Sequence, residues 1–377
     1  MSQHEPLPLT PNTGQSLTAT APPRARRVYW AIGLALAILI GIELAAQVRS
    51  QLRFGQSIFN LLAAETLYTP DPATGLNLLR PNRVFTGSEK IIRSNSLGLR
   101  SPEPAATRPP GSLRLAVLGA STVMGAYAAD NDRTFSALLQ QRLAARFPGR
   151  QIEVINAGIV GYTLADQTRM LDRRLAPLHP DLVIVYPGFN DFAGYCRETP
   201  KARFIPQSVP KFTLPGWLLS QDLLLKNTGF LRTLPVRAQT TRDPDQLDLT
   251  PYRTRLRELI ATARGHGLGL VLASNSRAYR PEQPRAEQLR LSETARYYNS
   301  CFDLEGLHRL YDRHNRAIAE EAEAARLPFL ALDRLVPGGA RYFADASHFS
   351  AEGEALVAER IERFLLDRGL LQELGAP

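Results

Sequence analysis

Four short segments of this chain carry side chains that could do chemistry together. They are Gly119-Ala120-Ser121-Thr122, Asn156-Ala157-Gly158, Gly188-Phe189-Asn190-Asp191 and Asp345-Ala346-Ser347-His348. A serine hydroxyl is a weak nucleophile until a base takes its proton. His348 is the natural base for Ser121. Asp345, three residues before it, is close enough to hold the other ring nitrogen and to stabilise the imidazolium. Acyl transfer also requires donors aimed at the oxyanion that develops in the transition state. The backbone N–H groups of Ser121 and Gly158 and the side-chain amide of Asn190 are the expected three. Glycine suits position 158 because it permits close backbone approach and unusual dihedrals. Each segment alone has a plainer reading: turn chemistry, an ordinary loop pair, a capping pair or a surface ion pair. Their joint placement is what points to a catalytic triad of Ser121, His348 and Asp345.

That placement follows from the elements around them. Leu113–Leu118 is a short apolar run ending in glycine, as a buried parallel strand should. Ile152–Ile155, Leu182–Tyr186, Leu268–Ala273 and Phe329–Leu332 read the same way. Between them Phe135, Leu138, Leu139, Leu143 and Phe147 recur at helical spacing. So do Tyr252, Leu256, Leu259 and Ile260, and then Leu307, Leu310, Tyr311, His314 and Ile318. Ser350 can cap a last helix with Glu352 and Glu354 in its first turn. Strands alternating with helices predict an α/β fold with three αβα layers around a five-stranded parallel, flavodoxin-like sheet. In such sheets ligands bind at the carboxyl ends of the strands. The four segments should therefore converge on one edge.

At these residues the chain resembles the SGNH hydrolases, also called GDSL-like esterases and lipases. The resemblance runs over roughly residues 113–370 through Leu118-Gly119-Ala120-Ser121, Asn156-Ala157-Gly158, Gly188-Phe189-Asn190-Asp191 and the D-x-x-H of Asp345 and His348. It implies a three-layer α/β fold without a cofactor, Ser121 as nucleophile, and Gly158 and Asn190 as oxyanion donors. The chain departs from the family at Ala120, where an aspartate is usual; that aspartate is not a triad member. The turn-rich stretch Asn95–Arg100 also looks like bacterial membrane-anchored members, which often resemble enzymes adding or removing O-acetyl groups on exported polysaccharides.

The N-terminal region predicts where the enzyme sits. Residues 1–27 read as a disordered cytoplasmic tail ending in Arg24, Arg26 and Arg27. Residues 28–48 are apolar except for Glu43 and Gln47 and just reach the roughly 20 residues a helix needs to cross a bilayer. Arginines ahead of the span put the N-terminus inside, giving a single-pass protein of the inner (plasma) membrane with its catalytic domain outside the cytoplasm. A cleaved signal peptide, cut after Ala45-Ala46, is the competing reading and gives the same compartment. Residues 49–112 should form a helical linker and a small β-containing approach, and 113–377 the hydrolase domain. Residues 192–249 are long for a connection and mix Phe204, Phe212 and Trp217 with Lys201, Arg203, Lys211 and Arg237. They suit a lid bordering the pocket or a small satellite core.

Composition narrows the remaining classes. A net charge of +9 comes from scattered arginines, without an aromatic-basic motif, so no nucleic-acid partner is expected. The loop Gly119–Gly125 lacks the P-loop lysine and the third dinucleotide glycine. His4, His179, His266, His308 and His314 show no ligand spacing, so neither metal nor cofactor is expected. Cys196 and Cys301 are either one disulfide or two separate thiols. The functional expectation is an exported O-acyl, most simply O-acetyl, ester hydrolase, with an acyl-ester substrate and acetylated polysaccharide as the candidate. An O-acyltransferase using the same acyl-enzyme, and a carbohydrate-binding protein with an idle triad, are the alternatives.

Overall fold

The computed structural model of the 377-residue chain describes residues 23–54, 67–86, 90–105, 108–196 and 242–373. The leader before residue 23, with His4, lies outside them. So do residues 55–66 and, within the insertion expected at 192–249, residues 197–241.

Helix α1, Pro23–Phe54, contains the apolar run. Its stretch Arg26–Val48 is long and apolar enough to cross a membrane. Leu34, Leu39 and Trp30 are more than half exposed on it. An apolar helix whose described side chains are mostly exposed suits a lipid environment. Two antiparallel pairs follow: β1 Tyr68–Asp71 with β2 Leu76–Leu79, and β3 Val84–Thr86 with β4 Ile91–Arg93.

The main sheet has five parallel strands, β5 Leu113–Gly119, β6 Ile152–Gly158, β7 Leu182–Tyr186, β8 Gly269–Ala273 and β9 Phe329–Leu330. Their order is β6-β5-β7-β8-β9, the flavodoxin-like arrangement expected from the alternating pattern. The strands are buried on both faces, which is why they read as continuous apolar runs. Side chains still alternate between two cores. Leu113, Leu115 and Val117 pack with helix α3, Phe135–Arg146, while Ala116 and Leu118 pack with α4, Leu164–Met170, and α5, Thr250–Gly265. The first core is completed by α8, Ala351–Asp367, and by the N-terminal half of α7, Leu304–Ala324. The short helices α2, Ser121–Met124, and α6, Glu293–Tyr298, stand at the carboxyl end of the sheet and beside the cavity described below.

Helix α8 starts as its sequence suggests. The Ser350 side chain accepts the Gly353 N–H, and Glu354 lies in the first turn. Glu354 is also buried, accepting the Phe135 N–H at 2.7 Å, so it joins α8 to α3. Burial pushes its carboxyl up to about 8, against the lowering effect of the Phe135 N–H and of Arg100. A folded pKa above the ordinary 4.5 means that the folded state holds this proton more tightly than the unfolded chain. Its contribution to stability is therefore complete below the unfolded value and is lost as pH rises through about 8. The melting temperature is expected to fall by several degrees between about pH 5 and about pH 8. Glu354→Gln keeps an acceptor for Phe135 and should flatten that slope. An equally steep profile in the variant would exclude Glu354 as its source.

Candidate active site

The carboxyl ends of β5, β6 and β7 deliver the first three segments to one edge of the sheet. Gly119 ends β5, where a Cβ would lie 2.3 Å from Val123 Cγ2 and 2.6 Å from the Tyr186 carbonyl. Only glycine lets the chain turn that tightly into α2, whose first residue is Ser121. The loop after Phe343 brings His348 across 227 residues of sequence to Ser121, with Nε2 2.7 Å from the serine Oγ. The other ring nitrogen, Nδ1, lies 2.8 and 2.9 Å from the two Asp345 oxygens. Asp345 Oδ1 also accepts the backbone N–H groups of Ser347 and His348 at 2.9 Å each. Burial raises the Asp345 pKa, but the His348 hydrogen bond and charge and these two N–H groups outweigh it, leaving the carboxyl below its usual value. The aspartate is thus held as an anion facing the imidazole. Thr122 Oγ1 donates to the Ser347 carbonyl at 3.4 Å, tying the two loops.

Asn190 is positioned by its neighbour. The Asp191 carboxylate accepts the Leu164 N–H at the start of α4, at 3.0 Å, and pairs with Arg255 at 3.2 Å. Burial raises the Asp191 pKa, opposed by the Leu164 N–H and Arg255. With Asp191 turned into the protein, Asn190 borders the cavity, and its amide donates one hydrogen to the Tyr162 carbonyl at 2.9 Å. An amide nitrogen carries two hydrogens, so one remains for a ligand. Gly188, at φ +75°, makes the turn that precedes it. The cavity itself, about 540 Å³, is bordered by Ser121, His348 and Asp345 and by Tyr127, Gly161 and Phe189 among others. That volume suits a small-molecule ligand.

The sequence is matched over residues 117–356 by the model of the GDSL-like lipase/acylhydrolase family, which is more than half of the chain. This protein belongs to the GDSL-like family. It is therefore an esterase-type hydrolase. A search of curated proteins gave no match. Among solved structures it is similar to the lipase/acylhydrolase from Enterococcus faecalis, at 18% identity over 68% of this chain and 96% of that one, with a TM-score of 0.42. It is also similar to an acetylxylan esterase from Geobacillus stearothermophilus, at 18% identity over 68% and 95%, with a TM-score of 0.42.

Within this GDSL-like site the structure corrects one expectation. Gly158 does not border the cavity: it is buried, and its N–H donates to Asn156 Oδ1 at 3.0 Å. Its lack of a side chain has a packing reason, since a Cβ would lie 2.1 Å from the Met124 N beneath α2. Asn156 completes that support by donating to the Val123 carbonyl at 2.8 Å. Gly161, three residues on and at φ +83°, borders the cavity instead. Its N–H has no partner among the described residues. The signal in the sequence that could have found it is the second glycine of Asn156–Gly161, two residues ahead of Thr163, the N-cap of α4.

Sequence reasoning also missed Arg100. It is buried, and its guanidinium donates to the carbonyls of Ile91, Met124, Gly125 and Ala128 and to Asn131 Oδ1, at 2.6–3.3 Å. A cation at the C-terminus of α2 satisfies carbonyls that the short helix leaves open. The turn Asn95–Arg100 thereby fastens the loop behind the serine. Tyr127, on that loop, donates to Asp345 Oδ2 at 3.3 Å, and its ring centroid is 5.5 Å from that of His348.

Cys196 and Cys301, left open above, are joined as a disulfide. The Arg242 N–H donates to the Cys301 carbonyl at 2.7 Å. Both described ends of the insertion are thus fastened at Cys301. His308 and His314 are buried away from the cavity, and burial pushes both down to about 4. Each serves a structural contact, His314 with the Tyr195 hydroxyl at 3.0 Å and His308 with Gln288 at 2.9 Å.

Asn190→Ala is expected to lower kcat by roughly 10²–10³-fold, the effect of removing one oxyanion donor. An unchanged kcat for p-nitrophenyl acetate would show that this amide does not face the oxyanion.

Proposed function

We propose that this chain is an exported serine esterase that removes short acyl groups, most simply acetyl, from extracytoplasmic glycan esters. The observation that carries the reading is the unbroken line of contacts from Ser121 Oγ through His348 to Asp345. Ser121 Oγ attacks the acyl carbon while its proton passes to His348 Nε2. The resulting oxyanion is met by the Ser121 and Gly161 N–H groups and the Asn190 amide, with Gly161 taking the role first expected of Gly158. The carbon–oxygen bond to the alcohol breaks as the imidazolium returns the proton to the leaving oxygen. Water then attacks the acyl-enzyme by the same route, releasing the acid and restoring Ser121.

Export is supported by two independent features. Arg24, Arg26 and Arg27 precede the apolar stretch of α1, which favours a cytoplasmic N-terminus and a single-pass anchor in the plasma membrane. The Cys196–Cys301 disulfide suits an oxidising compartment. The glycan assignment draws on the likeness of Asn95–Arg100 to membrane-anchored members.

A fluorophosphonate probe tests the reading. It should form a stoichiometric adduct on the peptide carrying Ser121, and prior incubation with an acetylated polysaccharide should slow labelling. A chain that is folded yet unlabelled has an idle serine. Supplying glycan acceptors during turnover separates hydrolysis, with free acetate as product, from acyl transfer.

A further inference from the structure

A chain of contacts leads from the base to a cation. Tyr127 lies against His348, and the residue before it, Ala126, accepts a hydrogen bond from Lys90 Nζ at 2.9 Å. Lys90 borders the same cavity, held at the residue next to the Tyr127 that lies against His348, whereas Gly161 and Asn190 offer the oxyanion donors. The histidine side is where the leaving alcohol must lie, because His348 protonates its oxygen.

The ammonium has no carboxylate within ion-pair distance among the described residues, and a main-chain carbonyl holds it in place. It is the cavity's one fixed cation among the described lining residues. Burial, and then the nearby Arg100, lower its pKa, so an incoming anion would relieve the site as well as bind to it. Beside it the cavity is bordered by Tyr127 and by Tyr298, at the end of α6, which are 54% and 58% exposed. Exposed aromatic rings beside a catalytic cavity offer flat apolar faces with a polar edge, which suit a sugar ring better than an acyl chain.

We propose that the alcohol half of the substrate is an acidic sugar, its ring against Tyr127 and Tyr298 and its anionic group at Lys90. This inference rests on the serine-esterase reading above and narrows its substrate. The acyl-transfer chemistry is unchanged; Lys90 acts only in binding.

Acetate release from an acetylated methyl glucoside is compared with release from the corresponding methyl glucuronide, which differs only in a C6 carboxylate. The full-length chain is expected to favour the glucuronide in kcat/KM by about three- to tenfold, mainly through KM, and the preference should shrink as salt rises. Lys90→Gln should bring the ratio of the two sugars close to one, Lys90→Glu should reverse it, and Lys90→Arg should keep it. A wild-type ratio near one, or a ratio that survives Lys90→Glu, overturns the inference while leaving the esterase reading intact. Failure to hydrolyse either sugar or p-nitrophenyl acetate overturns the esterase reading itself. Fatty-acid release from anionic phospholipid vesicles, with neither sugar turned over, would place a lipid headgroup at Lys90 and overturn the sugar assignment.

Discussion

Ser121→Ala should lower kcat/KM for p-nitrophenyl acetate by about 10⁴- to 10⁶-fold, the range seen when a serine nucleophile is removed from a triad. The expectation rests on how little else could take over. Thr122 is buried, with its hydroxyl directed at the Ser347 carbonyl. Ser347 is itself buried, with its own hydroxyl turned away from any partner in the described structure. Among the described residues only Ser121 combines partial exposure with a 2.7 Å contact to the base. The substitution removes one oxygen from a partly exposed position, so the fold should persist, which a melting curve checks. Turnover close to wild type in a folded Ser121→Ala protein would remove this residue from the mechanism. Residual activity above the uncatalysed rate would report the oxyanion donors and binding alone.

Asp345→Asn should cost about 10⁴-fold in kcat with little change in KM. Asparagine keeps the shape of the side chain, and its oxygen can still accept the backbone N–H groups that Asp345 holds. Its amide hydrogens change what faces His348. The imidazole would then present an unprotonated Nδ1 to a donor and carry its proton on Nε2, the nitrogen that must accept from Ser121. The charge that stabilises the imidazolium is lost as well. In the native protein that charge persists through the neutral range, because the hydrogen bonds from His348 and the Ser347 N–H overcome burial and hold the carboxyl below its usual value. A loss of less than about tenfold would mean that another group orients His348. Tyr127, which touches both residues, would be the first to examine, through Tyr127→Phe and the pH profile of kcat.

The fold and most of the site could be read before the structure. Continuous apolar runs ended by glycine-containing turns mark buried parallel strands, and the positions just past their carboxyl ends mark the site, because sheet geometry leaves a crevice there. The five-strand order follows from helices lying between strands and from right-handed crossovers. Ser121, Asn190, Asp345 and His348 are legible only together: each segment alone has a plainer reading, and it is their joint placement past strand ends that points to one edge.

What the chain alone could not decide were matters of facing and distance. Gly158 and Gly161 are equivalent as letters. Only packing shows that the first is pressed against Met124 beneath α2 and the second is open to the cavity. Arg100 reads as part of a polar turn, yet it is buried where four carbonyls converge from β4 and from the loop after Ser121. Lys90 and Tyr298 are ordinary surface residues until the tertiary fold sets them on one rim. The pairing of Cys196 with Cys301 spans 105 residues and has no local signature. Periodicity and strand endings are properties of neighbouring residues, so the amino-acid order determines them directly. Which groups share a wall of the cavity depends on loops whose closure is governed by packing over hundreds of residues, and the three-dimensional structure alone decides it.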